Sequence, residues 1–155
     1  MSSKPQDPFY KVRDSVNVQV ERIKVRHEKF VELLWNIDTA NNPEFRVLRT
    51  GLTKELRTAE KDVEGLRKAI DMVSKNRAKF PLITDGELEI RMSFVVESGK
   101  IVSNVKTNMD SISVRNKIQN DEDAAKKAFE AADVGNSTAT QKENARFIQN
   151  QVRDK

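Results

Sequence analysis

The chain has 155 residues, 34% charged against 37% hydrophobic, with five Gly, four Pro and no Cys. That length holds one domain of ordinary size plus a tail, the balance suits long helices with a narrow apolar stripe, and the missing cysteine excludes a disulfide framework, a thiol nucleophile and a thiolate metal site. The net charge of +4 is uneven, because Asp121–Lys155 holds seven acids against six bases and leaves +5 on the residues before it; even there bases and acids are interspersed, as on a solvated helix face.

The first helix is predicted over about residues 7–38. Phe9, Val12, Val16, Val20, Ile23, His27, Phe30, Leu34 and Ile37 follow at steps of three or four, which lays a seam along one side. Asp38 to Asn42 are turn formers and Pro43 suits a first helical position, so a second helix is predicted over about 43–76. Its seam runs Phe45, Leu48, Leu52, Leu56, Ala59, Val63, Leu66, Ile70 and Val73. A longer connection follows, with Thr84 or Asp85 as the N-cap of a third helix over about 85–116. That seam is less regular: Leu88, Met92, Val95, Gly99, Val102, Val105, Met109 and Ile112. Each helix alone is marginal in water, since most helix stability comes from packing an apolar face. Two short connections therefore predict an all-α fold, an antiparallel up-down-up three-helix bundle over residues 1–118.

Beyond Asn116 the pattern decays. Residues 119–140 are rich in Asp, Ala, Ser, Thr and Asn, with Phe129 as the lone large aromatic. Such a composition buries too little apolar area to offset chain entropy, which predicts a flexible C-terminal linker with at most a transient helix around Ala124–Ala132. Residues 141–155 resume a helical spacing through Phe147, Ile148 and Val152. No apolar run reaches the roughly 18 residues that span a bilayer, and the N-terminus lacks the apolar stretch of a signal peptide, so the chain is expected to be soluble and unexported.

Chemistry has little to build on. His27 is the only histidine, so neither a zinc site nor a Cys-His pair can be assembled around it. Carboxylates sit among Lys and Arg at ordinary helix spacing, as in Glu60-Glu64-Lys68 and Glu64-Arg67. There is no Gly-rich phosphate loop and no EF-hand spacing. No catalytic, cofactor-binding or metal residue is assigned, and the chain is read as no enzyme. Lys and Arg do not cluster with aromatics, so no nucleic acid is expected as a partner. Trp35 is expected to cap the bundle.

Five motifs add a resemblance. Asp7-Pro8-Phe9-Tyr10 opens the chain, and Glu55-Leu56-Arg57 begins a run that carries E-x-D-V-E-x-L from Glu60 to Leu66 and V-x-x-N-x-x-K-F-x-L from Val73 to Leu82. Then comes E-L-x-x-R-x-x-F, from Glu87 to Phe94. In order and spacing these resemble the N-terminal half of the syntaxin 6 family, SNARE proteins of the trans-Golgi and endosomes. Where relatives carry an aromatic between the Glu and Asp of the second motif, this chain has Lys61. The resemblance implies an Habc-type bundle ahead of a SNARE motif, of which residues 141–155 would be the first turns, and a C-terminal membrane anchor. It implies a protein on the cytosolic face of trans-Golgi and endosome membranes. The implied partners are Golgi tethering-complex subunits, other SNAREs through the SNARE motif, and the membrane through the anchor.

Two candidate partner-binding surfaces follow. Tyr10 lies about 100° around the helix from Phe9 and so falls off the seam, which leaves Asp7, Pro8, Phe9 and Tyr10 as a docking point at the end of the bundle. The other is the polar face of the second helix, with Arg57, Lys61, Glu64 and Lys68. Two other readings stand beside the trafficking one: a generic helical adaptor, and a basic bundle that binds an anionic membrane surface.

Overall fold

The computed structural model describes residues 8–144, with side chains as far as Asp133. Four helices account for most of them: α1 Pro8–Asn36, α2 Pro43–Lys75, α3 Asp85–Met109 and α4 Ile112–Asn144, with short 3-10 turns at Thr39–Asn41 and Arg77–Lys79. Capping sets the starts. Asn42 accepts a hydrogen bond from Phe45 N at 2.8 Å, ahead of Pro43 in the first turn of α2. Of the two caps open in sequence, Thr84 serves α3, its hydroxyl accepting from Glu87 N at 3.0 Å. Asn76 closes α2, donating from its side chain to Met72 O at 2.8 Å.

Side-chain pairs show the direction of each helix. Phe30 stacks on Phe45 with ring centroids 5.1 Å apart, while Arg26, further back in α1, meets Glu55, further along α2, at 2.8 Å. These two helices are antiparallel. Lys106 of α3 reaches Glu60 of α2 at 3.1 Å, and a methyl on Gly99 would lie 3.7 Å from Val63, again with opposed numbering. Between α1 and α3 the numbering rises together, Tyr10 bonding Glu87 and His27 bonding Asn108.

The predicted seams of α1 and α2 largely form the core. Phe9, Val16, Val20, Ile23, Phe30 and Leu34 are buried from α1, and every predicted position of α2 is buried except the half-buried Leu48. Val12 is 40% exposed. In α3 the predicted seam holds at Val95, Val102 and Val105, with Leu88 and Met109 packed against the core, and fails at two positions. Met92 and Ile112 stand out in solvent, and Arg91 and Ser98 are buried with Val95, Val102 and Val105. The apolar period could not choose Arg91 over Met92, because what permits an arginine inside is the Glu87 carboxylate one turn back and two rings supplied by α1.

The third helix also ends earlier than expected. Asp110 and Ser111 interrupt it, and the Ser111 hydroxyl accepts from Val114 N at 3.4 Å as α4 begins. α4 then continues through the stretch expected as a linker. Its first turns pack: Val114 and Ile118 are buried, Lys117 Nζ donates to Ile37 O at 2.9 Å, and Asp121 holds the corner between α1 and α2. Beyond that its side chains are mostly exposed, Phe129 at 72%. The physical reason is that a helix and a core are separate demands. Ala, Lys, Glu and Gln have high helix propensity, and Gln119 bonds Asp123 at 3.0 Å along the same face. A composition too polar for a core still supports a helix.

Candidate docking sites on the bundle

The parallel run of α1 and α3 brings their first turns together at one end. Phe9 is buried and meets Tyr10 edge-on, with centroids 5.5 Å apart. The Arg91 guanidinium lies 4.6 Å from the Phe9 ring centroid and 5.1 Å from that of Tyr10, and its Nε pairs with Glu87 at 2.8 Å. Tyr10 donates its hydroxyl to the same Glu87 oxygen, and the Arg13 guanidinium also lies over the ring, 4.7 Å from its centroid. The hydrogen bond to Glu87, then burial, then the Glu87 charge push the Tyr10 phenol above its ordinary value, against the opposing pull of Arg91.

Two of the sequence motifs thus meet in space. Phe9 and Tyr10 come from the opening D-P-F-Y, and Glu87 and Arg91 are the Glu and Arg of E-L-x-x-R-x-x-F. Tyr10 is half-buried, as its angle from the seam requires, with its hydroxyl tied to Glu87. Pro8 is exposed, whereas Asp7 lies outside the described residues, as does the segment from 145 onward. Sequence reasoning missed Arg13, Glu87 and Arg91 as members of this end. The spacing of Glu87 and Arg91 at i,i+4 was the available signal.

Arg57, Lys61, Glu64 and Lys68 are all exposed and step by four, three and four along α2, so they form one outward stripe opposite the core face. Glu64 pairs with Arg67 at 2.9 Å. The structure brings these four together with one another and not with the aromatic end. Arg57 alone also lines a groove between α2 and α4.

Neither polar single residue from the sequence reading gathers chemistry around it. His27 is half-buried, its Nε2 2.7 Å from Asn108 Oδ1 and its ring stacked near Phe30. Trp35 is 52% exposed near the end of α1 rather than closing the bundle. Among the described residues, no cluster of three His, Asp or Glu side chains could hold a metal ion, and no helix is long and apolar enough to cross a membrane.

The corner between α1 and α2 carries the other polar network. Asp121 Oδ2 accepts from Thr39 N at 2.9 Å and from Thr39 Oγ1 at 2.7 Å, and pairs with Lys117. Burial opposes the charge on Asp121, but the hydrogen bonds from Lys117 and Thr39 outweigh it and hold the carboxyl below its ordinary value.

Comparison with known proteins bears directly on this arrangement. The family model described as Syntaxin 6/10/61, N-terminal, matches residues 7–106, a span that takes in α1, α2 and nearly all of α3. Human Syntaxin-6 is 32% identical over 110 residues, covering 71% of this chain and 43% of that protein, and rat Syntaxin-6 matches to the same extent. Human Syntaxin-10 is 31% identical over 106 residues, covering 68% of this chain and 42% of its own length. The chain thus spans less than half the length of the curated relatives it matches. With the motifs that carry the likeness converging on a helical bundle, and the match covering that bundle, the chain belongs to the syntaxin 6/10/61 family through its N-terminal domain.

Proposed function

We propose that this chain is the N-terminal recruitment and regulatory part of a syntaxin 6-like SNARE that acts in fusion of vesicles moving between endosomes and the trans-Golgi. In this reading it performs no catalysis, sits on the cytosolic face of those membranes and binds tethering-complex subunits. Other SNAREs would engage a SNARE motif C-terminal to the bundle, and a C-terminal anchor would supply the membrane contact. Residues 119–140 would serve as the tether between bundle and motif. The observation that carries the reading is the family match over residues 7–106, which falls on the bundle itself.

The aromatic end is the first docking point to test. Tyr10 offers part of a ring at the mouth between α1 and α3, and the two arginines over that ring would hold it in place for a partner. A chain lacking Lys4–Asp7 and carrying Tyr10→Ala should keep its helical circular dichroism and lose binding to a Golgi tethering-complex subunit in pull-down. Equal recovery of the subunit by this variant and by wild type would move docking to the outward stripe of Arg57, Lys61, Glu64 and Lys68. Failure of wild type to recover any tether subunit or SNARE would overturn the reading.

A further inference from the structure

We propose that the groove between α2 and α4 binds an acidic helical segment of a partner protein. This deepens the docking reading above by naming a surface and the chemistry of what it takes.

The arginines point to it. Of the ten arginines among the described residues, six are held in ion pairs: Arg13, Arg22, Arg26, Arg67, Arg77 and Arg91. Three of the remaining four, Arg46, Arg49 and Arg57, line one groove, together with Lys54. Glu122 is the single acid in its walls. Arg46 donates only to a backbone carbonyl, that of Ala40, at 3.3 Å. Outside the groove Arg115 alone of the described arginines has no ion pair, so three of the four unmatched ones are gathered in a single place.

Their spacing has a cost within the chain. Arg46 and Arg49 stand at i,i+3 on α2, as do Lys54 and Arg57, and like charges at that spacing destabilise a helix. An external anion seated between them removes that repulsion. The groove is also concave. α4 forms one wall because Lys117 and Asp121 fasten it to the α1–α2 corner, and Ile118 and Phe45 close the floor over a volume of about 630 Å³. Arg49, Thr53 and Arg57 are shared with a second hollow of about 390 Å³, whose lining also holds Lys106 paired with Glu60, and Asp110.

Shape and charge together select the occupant. Arg46 to Arg57 spans roughly 16 Å along α2 at the helical rise, a length that an added helix covers with acids at i, i+4, i+7 and i+11 on one face. A bilayer surface is flat and would meet the outward Lys61 and Lys68 before it reached cations inside a two-walled groove.

The test is fluorescence anisotropy on the whole chain with three probes. They are an Ala-based helical peptide with Glu at i, i+4, i+7 and i+11, a peptide of equal composition with the Glu scattered around the helix, and phosphatidylcholine vesicles containing phosphatidylserine. Wild type should bind the striped peptide, more weakly as salt rises. Arg49→Ala with Arg57→Ala should keep the wild-type circular dichroism and weaken binding about tenfold, the usual scale for losing two charge-assisted contacts. Lys24→Ala with Lys75→Ala, two exposed lysines away from the groove, should leave binding within about twofold, as expected of residues outside the contact. Equal affinity of the groove variant and wild type would overturn the proposal. So would equal binding of the scattered peptide, or binding to the vesicles alone. None of these measurements involves a tether subunit, so a groove that fails here leaves the docking reading to its own pull-down.

Discussion

Asp121 of α4 accepts two hydrogen bonds from Thr39, one from the backbone N–H at 2.9 Å and one from the hydroxyl at 2.7 Å, across 82 positions of sequence. Thr39 is itself buried, so its amide has no ready access to water if the carboxylate is removed. This contact, with Lys117 on Ile37 O, decides where α4 lies and hence whether the α2–α4 groove has a second wall.

Asp121→Ala should lower stability by about 1–3 kcal/mol, the scale of leaving a buried donor unsatisfied. Thermal or urea unfolding measures it. The pH dependence has a definite sign. The Asp121 carboxyl is held below its ordinary value in the folded chain, so its contribution is present above the unfolded pKa and is lost as pH falls through the lower, folded one. Wild type and variant should therefore converge in stability only on the acid side of the ordinary carboxylate range.

Amide exchange should divide α4 in two. Val114, Ile118 and Asp121 tie its first turns to the bundle, whereas from Glu122 to Ala132 only Ala125 is even half-buried. A helical stretch without tertiary contacts is marginal in water. Slow exchange is expected as far as about Asp121 and fast exchange beyond it, by mass spectrometry or NMR. Uniform protection through Ala132 would contradict this.

Leu66→Asp and Ile70→Asp should each unfold the domain. Both side chains are nearly inaccessible, at 2% and 3% exposure, and an unpaired carboxylate there costs several kcal/mol, a large part of a small domain's stability. Circular dichroism at 25 °C, an ordinary assay temperature, should show the loss of helix. A wild-type melting temperature in either variant would contradict the register of α2.

Arg91→Ala should cost about 3 kcal/mol, because it empties a buried site against two rings and removes the guanidinium that pairs with Glu87. Arg91→Lys should recover only part of this, since an ammonium lacks the planar face that lies against Phe9 and Tyr10. Tyr10→Phe tests the other half of the network through pH. The Tyr10 phenol is raised, so the stability it lends is fully present below the ordinary tyrosine value and is lost as pH rises through the higher, folded one. The gap between wild type and Tyr10→Phe should close on the alkaline side.

His27→Leu should leave stability within about 1 kcal/mol of wild type. It exchanges one solvent-accessible hydrogen bond to Asn108 for added apolar contact beside Phe30. Chemical denaturation is the measurement. A folded variant that no longer binds its partner would show a functional histidine instead.

What the sequence determined by itself is the three helices of the bundle, the core faces of α1 and α2, and the family. Those are carried by local pattern: a three-and-four rhythm from Phe45 to Val73, turn formers ahead of Pro43, a cap at Thr84 or Asp85, and short motifs in fixed order. Tertiary structure decided the rest. Arg91 rather than Met92 faces inward because Glu87, Phe9 and Tyr10 receive it, and α4 lies where it does because Thr39 donates to Asp121 and Ile37 O accepts from Lys117. Unpaired Arg46, Arg49 and Arg57 become a groove only once that fourth helix stands beside them. Each of these outcomes depends on a partner many turns away in the chain, and hydrophobic periodicity, which reports only whether a side chain should be dry, carries no information about what meets it there.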